Sequence, residues 1–112
     1  MAHNPRVLIV DDSDVARAVL ASRLVERGAA VVEASSAADA LELDASTITA
    51  AIVDVDLGAG DSGVLLATAL ASRNPTMRLA LFTGQGTLVT SSTRTFRKPE
   101  QIDSVIAWAL EK

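Results

Sequence analysis

Short apolar runs that do not alternate constrain this chain most. "RVLIV" (6–10), "AVVEA" (30–34), "AAIVD" (50–54) and "RLALF" (78–82) are each about one strand long, and a weaker fifth, "TFRK", lies at 95–98. A strand with one wet face shows apolar and polar residues in turn, so runs without that alternation belong to strands covered on both faces. Between them lie segments of helical period. These are Ala16, Leu20 and Leu24, "SAADALELDA" near 36–45, "SGVLLATALASR" near 62–73, and Ile102, Val105, Ile106, Ala109 and Leu110 near the end. Start and stop signals agree: Ser13 can cap the first helix and Gly28 end it, Ser62 can cap the third, and Pro75 lies beyond its end. Strand and helix in turn, with short loops, predict an α/β fold: a doubly wound, five-stranded parallel sheet with helices on both faces and right-handed crossovers. One interval breaks the rhythm. "TGQGTLVTSSTRT" (83–95) is rich in Gly, Ser and Thr and has no helical stripe, so the fourth helix is expected to be shortened or replaced by a loop.

A chain of 112 residues is one domain, 1–112, with room for a single core. Only 3% of it is aromatic, so that core must be built from Val, Leu, Ile and Ala. The net charge of −4, with no large basic cluster, argues against direct nucleic-acid binding and against an anionic membrane surface. No apolar run approaches the roughly 20 residues that span a bilayer, which argues against membrane insertion. There is no cysteine, and the lone His3 lies near the N-terminus, so any metal needs oxygen ligands. The simplest reading is a soluble, cytoplasmic protein.

In a doubly wound sheet, residues just past the carboxyl ends of the strands converge on one crevice. Here they are Asp11 and Asp12 after the first strand, Asp54 after the third, Thr83 after the fourth, and Lys98 followed by Pro99 after the fifth. Taken singly, each has an ordinary explanation: acids at a helix N-terminus, a strand-end loop residue, a strand threonine, a solvated lysine. Together they bring three carboxylates, a hydroxyl and an ammonium to one pocket. Carboxylates so placed repel one another, and a hard cation bound by oxygens relieves that; Mg²⁺ fits best. With Mg²⁺, Lys98 and Thr83 each on a phosphoryl oxygen, Asp54 is positioned as a nucleophile toward phosphorus.

The same residues resemble the response-regulator receiver domain (the CheY-like family) of two-component signalling, over essentially the whole chain. In that family an acidic pair follows the first strand, an acceptor Asp the third, a Thr or Ser the fourth and a Lys-Pro the fifth. The resemblance implies a flavodoxin-like sheet with Asp54 as phospho-acceptor. It further implies that Asp12, Asp54 and the backbone carbonyl of Asp56 ligate Mg²⁺, that Asp11 acts largely through water, and that a sensor histidine kinase or phosphotransfer protein is the donor. Asp56, Gly84, Gln85 and Pro99 flank the site. Three features depart from the pattern. The position three before the lysine, usually aromatic, is Thr95, with Phe96 the nearest aromatic. The loop after Asp54 has Gly58 and Gly60 where Pro is common. The interval from Thr83 to Lys98 is short, similar to an atypical single-domain subgroup in which a flexible loop replaces the fourth helix.

The resemblance implies a phosphorylation switch or phosphorelay element, a stoichiometric acceptor rather than an enzyme, and the chain's end just after the last helical stripe leads us to expect a stand-alone one; a receiver cut from a hybrid kinase or longer regulator is the nearest alternative. From other classes, "DVDLG" (54–58) resembles the first motif of haloacid-dehalogenase-like phosphatases, with Asp54 as nucleophile and Asp56 as acid/base, and a third reading, a non-phosphorylated pseudo-receiver module, is disfavoured because no member of the site is missing. The phosphatase motif normally lies on the first strand, and here it falls on the third. "GDSG" (60–63) lacks the histidine a serine protease needs, and "GQG" (84–86) lacks the rest of a dinucleotide fingerprint. A downstream partner is expected to meet the 84–94 loop and the last helix. On that helix Trp108 lies more than about 90° from the centre of the apolar stripe, at about 3.6 residues per turn, and is expected to avoid the main core.

Overall fold

Unbroken apolar runs can be buried only if both faces of their strands are covered. The computed structural model, which describes residues 5–58, 61–84 and 93–111, shows how this is done. The strands are β1 (Arg6–Val10), β2 (Ala30–Ala34), β3 (Ala50–Asp54), β4 (Arg78–Thr83) and β5 (Arg94–Arg97). Among the described residues the α-helices are α1 (Asp14–Glu26), α2 (Ala37–Glu42), α3 (Gly63–Arg73) and α4 (Ile102–Ala109). All strand pairs are parallel, in the order β2-β1-β3-β4-β5, the flavodoxin-like arrangement.

The period of two within each strand divides the core. Val7, Ile9, Ala50, Ile52, Ala80 and Phe82 face α1 and α4, meeting Leu20, Leu24, Val105 and Ile106. Leu8, Val10, Ala51, Val53 and Leu81 face α2 and α3, meeting Ala40, Leu66, Ala67 and Leu70. Each Leu, Ile or Val removed from water in this way contributes about 1.5–3 kcal/mol. The central strands β1 and β3 are buried almost throughout, whereas the edge strands β2 and β5 keep exposed positions.

Local signals act as expected. Ser13 and Ser62 accept hydrogen bonds from the amides of Ala16 and Leu65 at the helix starts, Gly28, at φ +91°, turns the chain out of α1, and Ser36, a cap not named from the sequence, accepts from the Asp39 amide. The segment at 36–45 is less helical than its periodicity predicts. It ends at Glu42, and the Asp44 carboxylate accepts from the Ser46 amide to start a separate 3-10 turn, Ala45–Thr47. No described helix is long and apolar enough to cross a membrane. Among the described residues the element after β4 is β5; the loop expected at 84–94 lies largely in 85–92, outside the described residues.

Trp108 requires a correction. It is 8% exposed and belongs to the core with Phe96, Val105 and Ile106. Its ring lies 6.0 Å from that of Phe96, centroid to centroid, and the Arg78 guanidinium carbon is 4.6 Å from its own centroid. Arg78 Nη2 also donates to the Trp108 carbonyl at 2.8 Å. A helical wheel gives the direction of Cβ alone; the indole is long enough to reach round the helix to β4 and β5. It is no exposed anchor for a partner.

Candidate functional site

The strand order reverses between β1 and β3, since the chain leaves β1 for β2 on one side and enters β3 on the other, so a crevice opens beyond their carboxyl ends. Val10 pairs with Val53, so the next residues, Asp11 and Asp54, leave the sheet side by side. Asp54 in turn pairs with Phe82, and Phe82 with Phe96, which brings Thr83 and Lys98 to the same end.

Asp11 is 2% exposed: Oδ1 accepts from the Ser13 amide at 2.9 Å and Oδ2 from Lys98 Nζ at 2.7 Å. Asp54, 9% exposed, accepts from the Asp56 amide at 3.2 Å and has Lys98 Nζ 3.3 Å from Oδ2. Asp12 is exposed, and one carboxylate oxygen from each of Asp11, Asp12 and Asp54 lies within 4.8 Å of the others. The Lys98 ammonium also sits 5.5 Å from the Phe82 ring centroid, and its backbone amide donates to the Thr83 carbonyl at 2.7 Å. Thr83 is buried, with its hydroxyl on the Gly84 carbonyl at 3.4 Å. Pro99 follows Lys98 through a cis peptide bond. Gly84 is exposed at the end of β4; Gln85 lies outside the described residues.

The charges do not balance. Burial pushes the Asp54 carboxyl up from its ordinary value, Lys98 pulls it down and Asp11 pushes it up again, with a net rise. For Lys98, burial is the largest influence and acts downward, but the hydrogen bond and charge of Asp11, with those of Asp54, outweigh it and hold the ammonium above its ordinary range. One ammonium thus serves two buried acids while Asp12 stands beside them. An all-oxygen, carboxylate-rich donor set of this kind fits a hard divalent cation and does not suit a soft one.

Two supporting residues have weaker signals in sequence. Arg17 Nη1 donates to the Asp11 carbonyl at 2.6 Å, while the rest of its guanidinium meets Asp14 and, at 3.4 Å, Glu33 of β2. Its i,i+3 spacing from Asp14 could suggest the ion pair but not the bond to the backbone. A Cβ on Gly63 would stand 1.8 Å from the Asp54 carbonyl oxygen, so α3 can begin directly behind Asp54 only with glycine there. The only hint is a glycine in the first turn of a helix. Phe96 does not replace the missing aromatic at Thr95: it faces the core beside Trp108, and the Thr95 hydroxyl donates to the Thr93 carbonyl at 3.2 Å.

The response regulator receiver domain family matches residues 7–97, and the chain belongs to that family. It is a receiver domain of two-component signalling. A response regulator protein from Burkholderia pseudomallei, crystallised with a phosphorylated aspartic acid, a calcium ion and citrate, is 29% identical at a TM-score of 0.81, over 97% of this chain and 68% of that one. The receiver domain of NtrX from Brucella abortus is 22% identical at a TM-score of 0.80, over 95% of this chain and 98% of that one. A receiver domain protein from Clostridium thermocellum is 22% identical at 0.81, over 95% and 94%. These two share the fold. No curated protein matches the chain.

Proposed function

We propose that Asp54 is the phospho-acceptor, that a phosphohistidine of a sensor histidine kinase or phosphotransfer protein is the donor, and that the chain acts as a signalling switch or phosphorelay element. In transfer, an Asp54 carboxylate oxygen attacks phosphorus as the phosphorus–nitrogen bond breaks, and the electron pair leaves with the imidazole. The product is an acyl phosphate on Asp54. Lys98 follows one phosphoryl oxygen with its ammonium. Thr83 turns its hydroxyl from the Gly84 carbonyl, a long bond at 3.4 Å, to another. Asp12, Asp54 and the Asp56 carbonyl would hold Mg²⁺, with Asp11 acting through water, and the ion would offset the charge of the phosphoryl oxygens. The observation that carries this reading is a lysine ammonium 2.7 and 3.3 Å from two buried carboxylates at the sheet's switch point.

The test is intact mass after incubation with acetyl phosphate or phosphoramidate. A gain of one phosphoryl group in Mg²⁺, absent in EDTA and in Asp54→Asn, is expected. Multiple turnover of p-nitrophenyl phosphate without such a gain would favour a phosphatase instead.

A further inference from the structure

The turn after β3 is pinned at Gly58. Its backbone has φ +73°, a left-handed conformation that suits glycine and that proline, locked near −65°, cannot adopt. Its amide donates to Asp56 Oδ1 at 3.0 Å, and its carbonyl accepts from the Asp61 amide at 2.9 Å. A Cβ built on it would stand 3.0 Å from Asp12 Oδ2 and meet the carboxyl carbon at 3.9 Å. A side chain at position 58 would therefore press on the Asp12 carboxylate, which would have to give way by a few tenths of an ångström.

We infer that Asp56 and Gly58 are positioning residues for Asp12. The Asp56 carboxylate fixes the Gly58 amide, and the lack of a side chain at Gly58 leaves the Asp12 carboxylate the place in which one of its oxygens lies within 4.8 Å of its counterparts on Asp11 and Asp54. This rests on the cation site proposed above. It gives the Asp56 side chain a task distinct from acid/base chemistry: its oxygen accepts a hydrogen bond, and an amide oxygen can do the same.

The experiment is a Mn²⁺ titration followed by electron paramagnetic resonance, with competition by Mg²⁺, on the whole chain. Thermal unfolding of each metal-free variant shows that it is folded. Gly58→Ala and Asp56→Ala should each weaken Mn²⁺ binding about tenfold or more, as is usual when a partner that orients a metal ligand is lost. Asp56→Asn, which keeps an oxygen for the Gly58 amide, should retain most of the affinity that Asp56→Ala loses. Should Gly58→Ala fail to fold, the two Asp56 variants decide the matter. Affinity for Gly58→Ala within about twofold of the parent, or equal losses for Asn and Ala at 56, would overturn the inference. A parent protein that binds no Mn²⁺ would overturn the cation site itself, and this inference with it.

Discussion

Lys98 holds two buried carboxylates with one ammonium. Its loss leaves Asp11 and Asp54 unpaired where burial already disfavours charge. Lys98→Ala should cost on the order of 2–3 kcal/mol in urea unfolding at neutral pH, below the roughly 3–5 kcal/mol of a fully buried pair, because its side chain keeps 24% exposure. Asp54 adds a signature in pH. Burial first, and Asp11 with it, raise its folded pKa above the ordinary 3.8 against the pull of Lys98. A raised acid costs stability once ionised: the cost is absent below 3.8, grows as pH rises through the folded value, and is complete above it. Metal-free Asp54→Asn should therefore be more stable than the parent at neutral pH, with the advantage fading as pH falls through the raised folded value and gone below 3.8. Mg²⁺, by binding the native parent, should shrink it at neutral pH. The site acids and the lysine are legible in sequence because each follows an apolar run. The pairing of Lys98 with Asp11 at the shorter distance is not, since it depends on how β5 and β1 are set across two intervening strands.

α3 and α4 are each held by contacts to strands outside their own helical pattern. The Asp54 carbonyl stands behind Gly63, and Gly63→Ala must move a helix end or a strand end, both backbone. It should destabilise by about 3 kcal/mol, the upper part of the overpacking range, and should also slow phosphorylation by displacing the acceptor. Circular dichroism melts and the acetyl phosphate reaction measure the two effects. Trp108→Ala removes a buried indole that joins α4 to Phe96 and Arg78, and should cost about 3–5 kcal/mol in the same melts. Strands and serine caps could be read directly from the sequence, because apolar runs and cap hydrogen bonds are local. Trp108 could not, because its burial comes from β4 and β5 rather than from the periodicity of its own helix. For α2 the pattern overran the element: Ala40 is buried, but Asp44 turns the chain away.

For the molecule as a whole, function follows from strand order. The β2-β1-β3-β4-β5 sheet places the ends of β1 and β3 next to each other with β4 and β5 alongside, so residues as far apart as Asp11 and Lys98 share one crevice. That convergence was legible because unalternating runs separated by helical segments admit few other arrangements. The place of Gly58 beside Asp12 was not, since a glycine shows that a positive φ is open to the chain and not which side chain it would face. Of the carboxylates in this crevice, Asp54 alone is proposed to take the phosphoryl group. Borohydride reduction converts an aspartyl phosphate to homoserine, and peptide mapping then locates it. After reaction with acetyl phosphate and Mg²⁺, homoserine should be found at position 54 and nowhere else, with a stoichiometry of no more than one per chain. Homoserine at 11, 12 or 56, or none in a protein whose mass shows the added phosphoryl group, would contradict the account.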